Sequence, residues 1–108
     1  MKRGELYRVS SVSKTDPKKQ RIYVIISRQE LIDNTCSTLI CAPVYTNYEG
    51  LSTQVLIGTG LKHPSAIRCD ELISILKNRL TDYVGILSEE KLFELNHALS
   101  IAVGVEKM

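Results

Sequence analysis

The alternation of apolar and polar residues predicts a chain of short β-strands. Residues 5–10 alternate in the way that marks a strand with one buried face. Residues 22–26 form a continuous β-branched and aromatic run, which predicts a strand buried on both faces. Further strands are predicted at residues 38–44, 53–57, 65–68, 72–76 and 83–87, with a helical turn at Gln29–Ile32. Gly85, inside the last of these strands, marks a bulge or a close contact.

The C-terminal segment changes to a helical period. Its apolar residues recur mostly three or four positions apart, as they do on one face of an amphipathic helix: Leu92, Leu95, Leu99, Ala102 and Val103. Ser88 is placed to cap the N-terminus of this helix, Glu89 and Glu90 complement its dipole, and Gly104 provides a stop. Many short strands and one closing helix predict a mainly β fold, a small and strongly bent sheet or barrel.

The length and composition fit one folded domain spanning residues 1–108. Hydrophobic residues make up 44% of the chain and charged residues 24%, which are ordinary values for a folded protein. No apolar run approaches the roughly 20 residues that span a bilayer, and no signal-peptide pattern follows the first residues. We therefore expect a cytoplasmic protein that does not insert into membranes.

A local basic segment stands out on a chain whose net charge is only +2. Lys14, Lys18, Lys19 and Arg21 fall within eight positions, and Asp16 alone offsets them. Such a segment is either a solvated loop or a contact for nucleic acid, and charge by itself leaves both readings open.

The cysteines do not form a metal-binding pattern. Cys36, Cys41 and Cys69 make no C-x-x-C pair and show no metal-finger spacing. In a reducing compartment they are expected to serve as small buried hydrophobic residues. The sequence therefore predicts neither a metal site nor a cofactor.

The remaining candidates for chemistry are arginines at strand edges and one nearby carboxylate. The chain has no G-x-S-x-G, no glycine-rich phosphate loop and no H-E-x-x-H. Arg21, Arg68 and Arg79 remain, with Asp70 two residues after Arg68. If that segment is extended, Arg68 and Asp70 point to the same face. They form either a structural ion pair or a phosphate site in which Asp70 accepts a proton and Arg68 neutralises developing charge.

Six segments of the chain follow one another in the order of a known family. They read MKRGELY at 1–7, RIYVIIS at 21–27, CAPVYTN at 41–47, IRCDE at 67–71, ISILKNRL at 73–80 and GILSEEK at 85–91. These segments resemble the blocks K-R-G-E-I-Y/W, R-P-V-V-I-I-S, V-A-P-I-T-S-N, V-R-C-D-Q, I-R-T-I-D-K-x-R-L and G-x-L-S-D-E-K of the MazF/PemK toxins of type II toxin–antitoxin systems. The fourth block is that of the Kid/PemK branch.

This resemblance implies an SH3-like small barrel of the CcdB/MazF/PemK type with a C-terminal helix, working as a homodimer. It also implies a sequence-selective endoribonuclease that needs no metal or other cofactor. Such an enzyme cleaves single-stranded RNA by attack of the 2′-hydroxyl, leaving 2′,3′-cyclic phosphate and 5′-hydroxyl ends. A cognate antitoxin protein is expected to silence it by covering the surface that RNA uses.

The resemblance also assigns roles to individual residues. Arg21 matches the catalytic arginine that contacts the scissile phosphate, and Arg68 and Asp70 match the acid and base of the Kid branch. Since the pKa of an arginine exceeds about 12, Arg68 is assigned an electrostatic role first, and proton donation is left open. Asp70 is assigned as the general base.

The basic loop is the part that the resemblance assigns to RNA binding. Lys14, Lys18 and Lys19 would follow the RNA backbone and make binding sensitive to salt. The loop histidine of the Kid branch has no counterpart here, because Thr15 or Asp16 falls at its position, and we include Asp16 among the RNA-binding residues.

The segment 41–47 departs from the family pattern. The threonine that the A-P-x-T motif requires aligns with Tyr45, and Thr46 comes one place later. Either a bulge lets Thr46 serve as a catalytic residue, or Tyr45 replaces the hydroxyl, or this copy is impaired. Tyr45 is alternatively available to stack on a base, and Asn47 is placed beside it in the RNA-binding set.

Two other functions compete with RNA cleavage. The gyrase inhibitor CcdB has a similar fold and acts by binding alone, through a bulky apolar C-terminal end. The short and mixed segment after Val103 does not favour this alternative. A degenerate toxin that binds RNA or antitoxin without cleaving is the second alternative, supported by Tyr45.

Overall fold

The computed structural model describes residues 1–10, 20–58 and 64–105 of the chain. Its strands and helices are β1 Glu5–Ser10, β2 Gln20–Ile25, α1 Gln29–Ile32, β3 Thr38–Tyr45, β4 Gln54–Ile57, β5 Ser65–Arg68, β6 Ile73–Leu76, β7 Asp82–Ile86 and α2 Glu89–Ala102. Every predicted strand and helix is present, with bounds that differ by at most two residues. A single 3-10 turn at Lys77–Arg79 was not predicted, because three residues carry no readable period.

The seven strands form one antiparallel sheet in the order β4-β5-β3-β2-β1-β7, with β6 paired to β3 beside that path. The first half of β3 pairs with β6 and its end pairs with β5, so the long strand serves two short partners in succession. The sheet curls into a half-barrel, and α2 closes one side. The predicted fold class, a mainly β small barrel with a C-terminal helix, is confirmed.

The sheet has a hydrophobic core on each face. Val24 and Ile25 are adjacent in β2 and both fully buried, but Val24 lies in the core beneath α2 and Ile25 lies in the other core. The prediction that this strand is buried on both faces is confirmed for these two residues. Since successive side chains of a strand point to opposite faces, the parity of a residue decides which core it joins.

Helix α2 begins and ends as its sequence predicts. The Ser88 hydroxyl accepts a hydrogen bond from the Lys91 amide at 3.2 Å, and Gly104 follows the helix with a φ of 80°. Val103 was wrongly placed on the apolar face: it is 60% exposed, because it lies past the last helical turn. The residues that pack toward the core are Leu92, Leu95, Ala98, Leu99, Ile101 and Ala102, of which the pattern had missed Ala98 and Ile101.

The predicted irregularity at Gly85 is a bulge. Leu6 in β1 lies opposite Gly85, whereas the next residue, Tyr7, lies opposite Tyr83, so one residue of β7 has no partner. A side chain at Gly85 would meet no atom within 4 Å, which rules out close packing as the reason for this glycine.

The cysteines divide between core and surface. Cys41 and Cys69 are fully buried, as expected, and burial raises the pKa of each thiol to about 12. Both thiols therefore stay protonated at neutral pH and are poor nucleophiles. Cys36 was wrongly expected to be buried: it is exposed in the segment before β3.

No helix in the described part of the chain is long and apolar enough to cross a membrane.

Candidate active site

Three neighbouring strands bring Arg21, Tyr45 and Arg68 to one face of the sheet. Tyr45 at the end of β3 pairs with Ala66 of β5, two residues before Arg68. The residue before Tyr45, Val44, pairs with the residue after Arg21 in β2. Paired residues share a face and successive residues alternate, so the three side chains lie on the same face. Val44 belongs to the core beneath α2, which places this trio on the face opposite the helix.

The Tyr45 ring lies between strands that each contribute an arginine. The guanidinium carbon of Arg21 is 4.2 Å from the ring centroid, and that of Arg68 is 5.1 Å from it. Both distances fall within the range of cation–π attraction. Each guanidinium also carries several N–H donors in a planar fork that suits an anion such as a phosphate. No ion pair joins Arg21 to a carboxylate of residues 1–10, 20–58 or 64–105.

Glu71 is a component of this site that sequence reasoning missed. The Tyr45 hydroxyl donates a hydrogen bond to Glu71 Oε1 at 2.9 Å, and Glu71 Oε2 lies 3.0 Å from Arg68 Nε. The Nε–H is not aligned for a hydrogen bond, so this second contact is an ion pair by distance only. A turn after β5, closed by the Glu71 amide donating to the Arg68 carbonyl at 3.3 Å, brings the carboxylate back to the site. The only sequence signal was its position three residues after Arg68.

Asp70 lies beside Arg68, but on a different nitrogen from Glu71. Its Oδ2 is 3.7 Å from the terminal NH2 of Arg68, and its side chain is 40% exposed. The segment is not extended, since β5 ends at Arg68 and Asp70 stands in the following turn. The structure nevertheless brings the two residues together. Asp70 is the looser of the two carboxylates, which leaves its oxygens accessible to a ligand.

Thr46 and Asn47 stand apart from the arginines. Thr46 is exposed in the bend after β3, and its side chain makes no hydrogen bond to another described residue. The register of β3 runs without a shift to Tyr45, so no bulge turns Thr46 toward the site. The exposed Asn47 donates its amide to Glu49 Oε1 at 3.4 Å. The remaining predicted RNA-binding residues lie outside the described residues: Lys14, Asp16, Lys18 and Lys19.

Tyr45 has a phenol with a raised pKa. Burial raises the pKa of its phenol, the hydrogen bond to Glu71 raises it further, and the positive charge of Arg21 acts in the opposite direction. The net direction is upward from the ordinary value of 10.0. The phenol is therefore neutral throughout the physiological pH range.

A groove of about 260 Å³ opens beside the arginine site. Tyr23 lines it and lies two residues after Arg21 in β2, which puts both side chains on one face. Ile73 adds an exposed apolar wall, and Arg79 borders the groove while donating to the Ser10 carbonyl at 2.6 Å. Arg79, the third candidate arginine, is thus bound to a backbone carbonyl and is not part of the group formed by Arg21 and Arg68.

Comparison with known proteins places this geometry in a family. Residues 2–103 match the family model described as PemK-like, MazF-like toxin of type II toxin–antitoxin system. A mycobacterial endoribonuclease in complex with its cognate antitoxin superimposes with a TM-score of 0.83 at 20% identity, covering 98% of this chain and 97% of that one. The Mycobacterium tuberculosis toxin MazF-mt6 gives 0.80 at 23% identity, covering 94% and 98%.

A MazE–MazF structure from Deinococcus radiodurans gives a TM-score of 0.77 at 14% identity, covering 98% of this chain and 97% of that one. No curated protein matches the chain in sequence. Because the family model spans nearly the whole chain, the protein belongs to the PemK-like, MazF-like toxins of type II toxin–antitoxin systems. The resemblance seen in the six sequence segments is confirmed.

Proposed function

We propose that this toxin is a metal-independent, sequence-selective endoribonuclease that cleaves single-stranded RNA. The observation that carries the proposal is the grouping of Arg21, Arg68 and Asp70 on one open face, with Asp70 Oδ2 3.7 Å from the Arg68 guanidinium. Two guanidiniums supply the positive charge that a phosphoryl transition state requires, and the carboxylate supplies a base. Solved relatives at about a fifth identity are endoribonucleases, which supports the same reaction here.

The reaction follows from the chemistry of these groups. Arg21 and Arg68 hold the scissile phosphate through their in-plane N–H donors. Asp70 accepts the proton of the adjacent 2′-hydroxyl, whose oxygen attacks phosphorus. The guanidiniums stabilise the charge that develops on the phosphoryl oxygens. The products are a 2′,3′-cyclic phosphate and a 5′-hydroxyl end.

The proposed partners are a cognate antitoxin and a second copy of the toxin. Relatives of this fold have been solved in complex with antitoxin, as a mycobacterial complex and as MazE–MazF. An antitoxin segment with acidic and apolar side chains would complement the arginine face and the groove lined by Tyr23. Such a segment would exclude RNA from the arginine face and from the groove. We place this interaction in the cytoplasm, where the RNA is found.

A non-cleaving toxin is the second candidate, and one feature favours it. The Tyr45 ring lies close to both arginines, and Glu71 already faces Arg68. A site closed in this way would bind RNA or antitoxin without cutting. One measurement distinguishes the endoribonuclease from the non-cleaving toxin.

That measurement is incubation of the purified toxin, free of antitoxin, with a long single-stranded RNA in excess EDTA. Discrete cuts with 5′-hydroxyl ends support the endoribonuclease, and intact RNA from folded protein supports the binding-only toxin. The Asp70→Asn variant should cut at least about 100-fold more slowly, because the loss of a general base costs that much. Its affinity for RNA carrying a 2′-deoxyribose at the scissile position should stay close to that of the wild type.

Asp82→Asn is the matched control for this variant. Asp82 also pairs with an arginine, Arg8, at 3.5 Å, but Arg8 lies on the face toward α2. The control should cut at the normal rate. Normal cutting by Asp70→Asn as well would reduce Asp70 to half of a structural ion pair.

A further inference from the structure

The proposed cleavage leaves one proton without a donor. Departure of the 5′-oxygen is slow unless a proton reaches it in the transition state. Asp70 takes up a proton in the same reaction, and a guanidinium is a poor donor because its pKa exceeds about 12. Of the hydroxyl groups in the described residues, that of Tyr45 belongs to a ring that contacts both Arg21 and Arg68.

We infer that Tyr45 is a catalytic residue that donates its proton to the departing 5′-oxygen, and that Glu71 positions its hydroxyl. The inference rests on the proposed endoribonuclease function, in which Asp70 is the general base, and adds a general acid to it. Glu71 Oε1 accepts from the Tyr45 hydroxyl at 2.9 Å and fixes the phenol beside the Arg68 guanidinium. The position of the phenol oxygen is thereby fixed before substrate binds, and its single proton turns from Glu71 to the 5′-oxygen as that oxygen departs.

The two carboxylates approach neighbouring nitrogens of the Arg68 guanidinium. Asp70 approaches the terminal NH2 of Arg68, whereas Glu71, which holds the phenol, approaches the Nε. The base and the acid are therefore both next to one guanidinium, and a phosphate bound to Arg68 would lie within reach of Asp70 and of Tyr45.

The step balances in atoms and charge. The bond from the 2′-oxygen to phosphorus forms, and the bond from phosphorus to the 5′-oxygen breaks. The 2′-hydroxyl proton goes to Asp70, and the Tyr45 proton goes to the 5′-oxygen. The resulting phenolate is stabilised by Arg21 and Arg68, whose guanidinium carbons lie 4.2 and 5.1 Å from its ring centre. Exchange with water then returns a proton to the phenolate and removes one from Asp70.

The test compares two leaving groups. The substrates are a short RNA with one cleavable site and the same RNA with sulfur in place of the 5′-bridging oxygen at that site. A thiolate departs without protonation, so only the oxygen substrate needs an acid. Tyr45→Phe keeps the ring and its arginine contacts but has no proton to give. We expect it to cleave the oxygen substrate at least about 100-fold more slowly, and the sulfur substrate as fast as the wild type.

Asp70→Asn provides the contrast, because loss of the base slows cleavage of both substrates. Equal slowing of both substrates by Tyr45→Phe would show that the residue only shapes the site, and normal cleavage of the oxygen substrate would show that it donates nothing. Either result overturns the inference while the endoribonuclease stands. Failure of the wild type to cut either substrate would instead overturn the proposed function, and the inference with it.

The positioning role of Glu71 has its own pair of variants. Glu71→Gln keeps an oxygen that accepts the phenol hydrogen bond, whereas Glu71→Ala removes it. We expect Glu71→Ala to slow cleavage of the oxygen substrate alone and Glu71→Gln to restore the rate. Equal effects of Glu71→Ala on both substrates would assign Glu71 to the stability of the site and refute its positioning of the acid.

Discussion

Replacement of Glu71 by glutamine should tighten the binding of RNA. The carboxylate lies 3.0 Å from Arg68 Nε in the RNA-free protein, where it competes with a substrate phosphate for the same guanidinium. Glutamine has nearly the same shape and still accepts the hydrogen bond of the Tyr45 hydroxyl, so the change removes charge and little else. The Arg68 and Glu71 side chains are 23% and 41% exposed, which means that solvent and salt screen their attraction.

The size of the effect follows from counterion release. Each phosphate neutralised on a single strand changes log K by about −0.7 per unit of log salt concentration. Loss of the Glu71 charge leaves Arg68 about one unit more positive toward the phosphate, so the salt dependence should steepen by about 0.7. At about 0.1 M salt this corresponds to roughly fivefold tighter binding, or about 1 kcal/mol.

The assay is a titration of fluorescent single-stranded RNA, blocked by a 2′-deoxyribose at the scissile position, at several salt concentrations. Glu90→Gln is the control, since it removes the same charge from the first turn of α2, on the opposite side of the sheet. Its salt dependence should match that of the wild type. If Glu71→Gln binds no tighter than this control, or shows the same salt slope, then Glu71 does not compete with phosphate and the reasoning fails.

Two further predictions concern stability. Gly4→Ala should cost about 2 kcal/mol in urea unfolding, because Gly4 has a φ of +92° and its new Cβ would lie 2.8 Å from Leu92 Cδ2; Gly58→Ala, with open space around it, should cost little, and equal costs would refute this account. Burial and the Glu5 hydrogen bond raise the pKa of Tyr7 from 10.0 to about 12. The protonated phenol therefore contributes stability that is fully present below pH 10 and is lost as the pH rises through about 12. The wild type should therefore lose about 2 kcal/mol between pH 10 and pH 12 that Tyr7→Phe does not. Equal losses by the two proteins in urea unfolding at these two pH values would contradict the prediction.

The sequence by itself determined the strands, the helix and the family. The periodicity of a strand or helix is a property of neighbouring residues in the chain. The alternation along β1 and the helical spacing in α2 can therefore be recognised without knowing which elements they pack against. The Ser88 cap and the Gly104 stop are local for the same reason. The continuous apolar run at residues 22–26 predicted a strand buried on both faces, and Val24 and Ile25 lie in the two different cores. Local patterns failed at Cys36 and Val103, where exposure depends on what lies opposite in space.

The tertiary structure alone decided the composition of the site. Arg21, Tyr45 and Arg68 are far apart in the chain, and they meet because the register of β3 with β2 and β5 gives them the same parity. That register also selects Tyr45 over Thr46, a choice that the sequence left open, since a shift of one residue would reverse both side chains. Glu71 enters through the turn after β5, whose path depends on the sheet around it. Strand pairing depends on residues that are far apart in the chain. For this reason the sequence indicated individual residues of the site but not the contacts between them.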